Sequence, residues 1–227
     1  MESGSFSDLV MLERVDEERF IAPVGAEQGN RTYGGQILAQ ALTAAQGTVG
    51  TDRPVHSLHG YFLRPGASDR PIELAVDQVR NGRAFSSRAV TASQEGRELC
   101  RVLASFHAPE DGLEYNGPTM PDVPPPEAVA TSHSEFVHAL RPDFGGSWSG
   151  DARAMEILYV NPPTAPDGEP VSEDQRMWIR INTTLADNTA LHASALAYLS
   201  DSTLVDHVML PHGHRWQDER LQGASLD

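Results

Sequence analysis

The stretch "YGGQILAQALTAAQG", Tyr33 to Gly47, decides the fold. Ile37, Leu38, Ala41, Leu42 and Ala45 recur at the spacing of one helix face, and Gly47 is a natural stop, so a helix is predicted over about 34–46. Its apolar side chains are small or medium, which lets other elements pack closely around it. It begins at Gly34-Gly35-Gln36, where bare backbone N–H groups can approach a ligand oxygen. Strand signals follow in series. "VHSLHGYFLRPG" ends at a Pro-Gly turn, and "PIELAVDQV" alternates Ile72, Leu74 and Val76 with Glu73 and Asp77. Asn81-Gly82 is a hairpin signal, and "RAFSSRAVTAS" and "RELCRVLASFHA" are joined through Gln94-Glu95-Gly96. Strands are expected near about 55–63, 71–80, 84–94 and 97–107. A helix followed by a strongly paired antiparallel sheet is an α+β layout in which the sheet can wrap the helix.

Beyond this unit the composition changes. Residues 109–135, "PEDGLEYNGPTMPDVPPPEAVATSHSE", are rich in proline and acid and read as a linker without strand pairing, because the prolines at 124–126 cannot donate to a ladder. Strand-like "AMEILYV" and "QRMWIRINTT" come next, then the helical "NTALHASALAYLSDSTLVDHVML". The expected division is 1–108 for the first unit, 109–135 for the linker and 136–227 for a second, incomplete unit. A weak internal repeat supports a duplicated unit: Tyr33-Gly34-Gly35-Gln36 and Tyr198-Leu199-Ser200-Asp201 each set a tyrosine and two small or apolar residues before a polar one.

Ser200-Asp201-Ser202-Thr203 interrupts an otherwise apolar run. Two readings stay open for Asp201: a helix N-cap, accepting hydrogen bonds from the first backbone amides, or a catalytic carboxylate held at a helix start.

The bulk composition excludes several classes. A 39% hydrophobic and 22% charged content belongs to a globular chain. No run approaches the roughly 18 apolar residues of a membrane span. An acidic N-terminus in place of a basic one predicts no secretion signal, and a cytoplasmic location is expected. The net charge of −15 argues against nucleic acid or anionic membrane as partners. All 17 basic residues are arginine, so anions must be held by Arg forks or backbone amides. The single cysteine, Cys100, excludes an intrachain disulfide and reads as buried filler.

The stretches "RTYGGQILAQAL", "VHSLHGYFLRPG", "VRNGRAFSSRAVTASQEGRELCRVLASFH", "RMWIRINTT", "LHASALAYLSD", "MLPHG" and "ASLD" together resemble the acyl-CoA thioesterase II (TesB-like) family, in family order from about residue 8 to the end. The resemblance implies a double hotdog fold, a long helix wrapped by a curved antiparallel sheet twice in one chain, with the second unit truncated at its C-terminus. It implies hydrolysis of fatty acyl-CoA to free fatty acid and CoA, a step of lipid metabolism, by an oriented water and no covalent intermediate. No cofactor is implied, since CoA is part of the substrate, and relatives associate as homo-oligomers through their sheets. Of the family's catalytic Asp, Thr or Ser, and Gln, the Asp matches Asp201 and the hydroxyl matches Ser225 in "ASLD". The Gln lies in a final strand that has no counterpart in these residues.

For the substrate, Gly34, Gly35 and Gln36 are candidates at the helix start, and Gln36 as an amide cannot be a base. Arg64, Arg80, Arg83 and Arg88 are candidates for CoA phosphates, each equally an ordinary solvated strand residue. His56 and His59 flank a strand, where packing is favoured over catalysis, and His56 is kept as a substrate-binding candidate. "GGSWSG", Gly145 to Gly150, centres on Trp148 and supports no serine nucleophile. His207, His212 and His214 lack the carboxylate of a metalloenzyme motif, so no metal is expected. Asn182-Thr183-Thr184 would be a glycosylation sequon only in a secreted chain. Two other functions stay open: a non-catalytic acyl-CoA-binding hotdog, and an enoyl-CoA hydratase of the same fold.

Overall fold

The computed structural model describes residues 5–24, 31–133, 135–136, 154–165, 168–171, 173–214 and 225–226. A short helix α1 (Phe6–Leu9) leads to strands β1 (Glu13–Arg14) and β2 (Arg19–Ala22), then helix α2 (Gly34–Gln46). Four strands follow: β3 (Val55–Phe62), β4 (Ile72–Asn81), β5 (Phe85–Gln94) and β6 (Arg97–His107). The second half contributes β7 (Thr131–Ser132), β8 (Met155–Tyr159), β9 (Met177–Ile181), helices α3 (Thr189–Ser200) and α4 (Leu204–Met209), and β10 (Ser225–Leu226).

One antiparallel sheet runs β1-β2-β4-β5-β6-β3-β10, and a second runs β7-β8-β9. The first wraps α2, as the alternation foretells. Ile72, Leu74 and Val76 of β4 point inward, as do Val90 and Ala92 of β5 and Val102, Ala104 and Phe106 of β6. They meet Ile37, Leu38, Ala41 and Leu42 of the helix. Each such Leu or Ile contributes about 1.5–3 kcal/mol by leaving water. The opposite side of α2 is buried too, because α3 lies along it. Small side chains at Ala39, Ala195 and Ala197 allow the close approach.

The two helices run antiparallel. At one end Thr43 Oγ1 and Ser194 Oγ are 2.9 Å apart, and Gln46 donates to Ser194 Oγ and the Ala190 carbonyl. At the other end the start of α2 meets the close of α3. This arrangement corrects the register of the proposed internal repeat. Tyr33 immediately precedes α2, whereas Tyr198 lies in the last turn of α3. The two tetrapeptides are neighbours across an antiparallel pair, not equivalent positions of two copies.

Three further expectations change. Asp201 does not open a helix; it closes α3, and α4 starts three residues later. The β4–β5 turn does not centre on Asn81-Gly82. Asn81 still pairs with Ser86, and Gly82 donates to the Phe85 carbonyl at 2.8 Å, which puts Arg83-Ala84 at the bend. The turn with two left-handed residues is instead Glu95-Gly96, with φ of 50° and 74° between β5 and β6, the backbone a two-residue hairpin needs. Within 109–135, residues 109–125 carry no helix or strand, yet Thr131–Ser132 pairs with Leu158 and Tyr159, so strand pairing resumes before the expected end of the linker. Trp178 fastens the linker by donating its indole N–H to the Pro124 carbonyl at 2.9 Å. The stretch Gly145–Gly150 lies outside the described residues.

Candidate active site

The amides at the start of a helix have no partners inside it and need a cap. At α2 the preceding residue, Tyr33, makes no such bond with its own side chain. The cap comes from the other half of the chain: Gly35 N–H donates to Asp201 Oδ2 at 2.9 Å, across 166 residues of sequence. The carboxylate caps a helix, though not its own, and stands where the positive end of α2 favours negative charge.

Glycine at 34 and 35 is what allows this approach. A Cβ on Gly34 would lie 2.6 Å from Asp201 Oδ2 and 2.9 Å from the Phe62 ring; one on Gly35 would collide with the Tyr198 carbonyl oxygen and the Tyr33 ring. A reciprocal bond runs the other way, from the Tyr33 phenol to the Tyr198 carbonyl at 2.9 Å. The rings of Tyr33 and Tyr198 meet edge to face at 5.1 Å, and Phe6 meets Tyr198 likewise at 5.4 Å. Just past the end of α3, Ser202 sends both its amide and its hydroxyl to the Leu199 carbonyl.

Cys100 lies beneath the site, wholly buried. Burial, and secondarily the Asp201 charge, push its thiol up from 9.0 to about 12, so it is inert as a nucleophile. Ser225 is opposite Tyr61 in the pairing of β10 with β3, one position from Phe62, whose ring reaches Gly34. Its backbone thus stands at the same end of the sheet as Asp201. Gln36, in the first turn of α2, is 3% exposed, and its Oε1 has no hydrogen-bond partner.

The proposed phosphate-binding arginines do not form a set. Arg88 is 2% exposed and donates to Thr48 Oγ1, the Thr48, Arg80 and Ser87 carbonyls and Asn81 Oδ1, at 2.7–3.0 Å. All five of its N–H groups are engaged inside the protein, which corrects its assignment as a substrate ligand. Burial, then the neighbouring Arg53 charge, lower its pKa, while Glu18 opposes them. Arg80 and Arg83 are exposed beside the same hairpin, at the far end of α2, roughly 18 Å from Gly35 at 1.5 Å per residue. Arg64, two residues beyond Phe62, is exposed at the Asp201 end and donates to the Glu98 carbonyl. His56 is on the sheet face turned away from α2, bonded to Ser105 Oγ at 2.9 Å and packed beside Phe85 and His107. That removes it from the Asp201 cluster. His59 packs against Tyr61. Among the described residues no group of three His, Cys, Asp or Glu is placed to hold a metal ion.

The sequence reading passed over Tyr33, Tyr198 and Phe62 as parts of this site. The two tyrosines were visible as a matched pair, but as copies of one position, and only antiparallel packing turns them into partners.

A model of the acyl-CoA thioesterase N-terminal domain matches residues 22–107, and an acyl-CoA thioesterase model matches residues 153–227. The chain is 31% identical over 224 residues to Acyl-CoA thioesterase 2 of Haemophilus influenzae, covering 96% of this chain and 77% of that protein. It is 33% identical over 206 residues to the mouse Acyl-coenzyme A thioesterase 8, covering 87% of this chain and 64% of that protein. The chain thus spans about two thirds to three quarters of the length of these curated relatives. Among solved structures, a tesB protein of Mycobacterium avium subs paratuberculosis superposes with a TM-score of 0.68 at 33% identity, over 92% of this chain and 73% of that one. A hot dog fold protein from Alicyclobacillus acidocaldarius gives 0.68 at 21% identity over 92% of this chain and 72% of that one, a likeness of fold.

Proposed function

As the chain belongs to the acyl-CoA thioesterase family, with the hotdog fold that goes with it, we propose that it hydrolyses acyl-CoA to the free acid and CoA through a water activated by Asp201. One observation carries this reading: the Asp201 carboxylate of the second half is held against the Gly35 amide at the start of the first half's helix. A base and a helix N-terminus then face the same point.

A thioester carbonyl yields to water once the water is deprotonated as it attacks and the developing oxyanion is stabilised. Asp201 takes the proton of the attacking water. The water oxygen bonds to the carbonyl carbon, the C–S bond breaks, and the proton passes from Asp201 to the departing CoA thiolate. The Gly34 amide, first of α2, faces the oxyanion. One such donor is typically worth about 3–4 kcal/mol of transition-state stabilisation. Ser225 supplies a second hydrogen bond to the water, and the unpartnered Gln36 Oε1 accepts from a substrate amide N–H. Arg64, exposed at the Asp201 end, is the arginine assigned to a CoA phosphate in this reading. CoA enters as part of the substrate, no further cofactor is invoked, and the acid released is a fatty acid. The described residues hold no helix long and apolar enough to cross a membrane; a cytoplasmic homo-oligomer is the working assignment.

Thiol release from a panel of acyl-CoAs, followed with DTNB, tests the reaction, with binding measured in parallel by calorimetry. Turnover that disappears in Asp201→Asn supports the reading. Binding with no turnover makes the chain an acyl-CoA carrier and refutes it.

A further inference from the structure

We infer that Tyr33 is a positioning residue for Asp201, its phenol fixing the end of α3 so that the carboxylate meets the Gly35 amide. The inference rests on the role proposed for Asp201. Two hydrogen bonds of 2.9 Å, Tyr33 Oη to the Tyr198 carbonyl and Gly35 N–H to Asp201 Oδ2, close a ring between the helices. On the α2 side the ring runs from the N-cap Tyr33 to Gly35; on the α3 side it runs from Tyr198 to the C-cap Asp201, less than one turn. Backbone segments this short, anchored at hydrogen-bonded helix ends, move little. A slide of about 1 Å at one bond is therefore passed to the other and takes it beyond hydrogen-bond distance.

Burial makes the phenol effective. Tyr33 is 7% exposed and Tyr198 is fully buried, so solvent competes little for the bond, and a buried carbonyl deprived of its donor is costly. The ring contacts alone do not fix the register. Edge-to-face packing of Tyr33 and Phe6 on Tyr198 tolerates sliding, whereas a hydrogen bond to one carbonyl does not. The Tyr33 ring also lies 2.6 Å from where a Gly35 Cβ would be, which closes that approach to anything larger than glycine.

Tyr33→Phe keeps the ring and deletes the hydroxyl. Hydrogen exchange at the Gly35 amide reads the positioned bond directly and needs no activity. In Tyr33→Phe the Gly35 amide should exchange about tenfold faster, the worth of one such bond, while core amides such as Val90 keep their rates. Tyr198→Phe is the matched control. It also deletes a buried phenol, the one that accepts from the Ala154 amide, and should leave Gly35 exchange unchanged. An unchanged Gly35 rate in Tyr33→Phe, or an equal rise in both variants, overturns the inference. In kinetics, Tyr33→Phe should lower kcat about tenfold with KM unchanged, and should have no further effect in an Asp201→Asn background. Additive losses overturn it as well. A wild-type chain that releases no thiol sinks the proposed hydrolysis, while the exchange experiment still decides the role of Tyr33.

Discussion

Replacing Asp201 separates the cap it forms from the base it is proposed to be. Asparagine at 201 keeps an amide oxygen that accepts from Gly35 N–H, so the cap survives while the base is lost. Turnover should fall by roughly 10²-fold or more, the worth of a positioned base, with Tm nearly unchanged. Alanine removes both. The lost cap is worth about 1 kcal/mol, and the lost charge at the start of α2 roughly another 0.5 kcal/mol. For a chain of 227 residues that sum lowers Tm by roughly 3–6 °C. The assays are thiol release from acyl-CoA and thermal unfolding by circular dichroism. Cys100, the sole cysteine, is buried with its thiol held at about 12, so the folded protein adds no thiol signal of its own. An Asn variant as active as the wild type refutes Asp201 as the base. An Ala variant that melts at the wild-type temperature refutes the cap.

Arg88→Met leaves several buried acceptors without donors and should cost about 3 kcal/mol or more, seen as a lower urea midpoint, with the affinity of the folded protein for CoA intact; a weakened CoA affinity would restore Arg88 as a ligand. Arg64→Ala should raise KM for acyl-CoA about tenfold and leave kcat unchanged, and an unaltered KM removes it from the site. Cys100 gives a pH dependence of fixed sign. Its thiol titrates near 9.0 when exposed and near 12 when folded, so the native state holds the proton longer and stability drops as pH climbs from about 9 to 12. Cys100→Ala should flatten that alkaline limb in urea titrations, and an unchanged limb would show that another group sets it.

Much of the first unit was legible because its elements are locally consistent. Ile72, Leu74 and Val76 alternate, the α2 stripe keeps helical spacing, and each element ends at a Gly, Pro or Asn signal. The errors arose where a side chain serves a distant partner. Asn81-Gly82 has the composition of a tight turn, but Asn81 Oδ1 accepts from buried Arg88 at 2.7 Å, which holds Asn81 in its strand and moves the bend to Arg83-Ala84. Arg88 itself had a readable signal: on β5 it shares the inward parity of Val90 and Ala92. Ser200-Asp201-Ser202 suits either end of a helix, since short polar side chains bond nearby backbone groups of both kinds. Which end they occupy, and whose amide Asp201 caps, is set by the packing of α3 on α2, for which no local pattern exists.

The two crossed bonds, Tyr33 to the Tyr198 carbonyl and Gly35 to Asp201, tie the candidate site to assembly. Gly35 and Asp201 are 166 positions apart, so their contact belongs to the slow, non-local part of folding. Until α3 docks, the first turn of α2 has no carboxylate to hold it and frays, and Asp201 has no helix to face. A half-assembled chain therefore presents neither the positioned carboxylate nor an ordered first turn of α2. The geometry comes into being only when α3 docks on α2, so the candidate site never exists on an unfinished molecule.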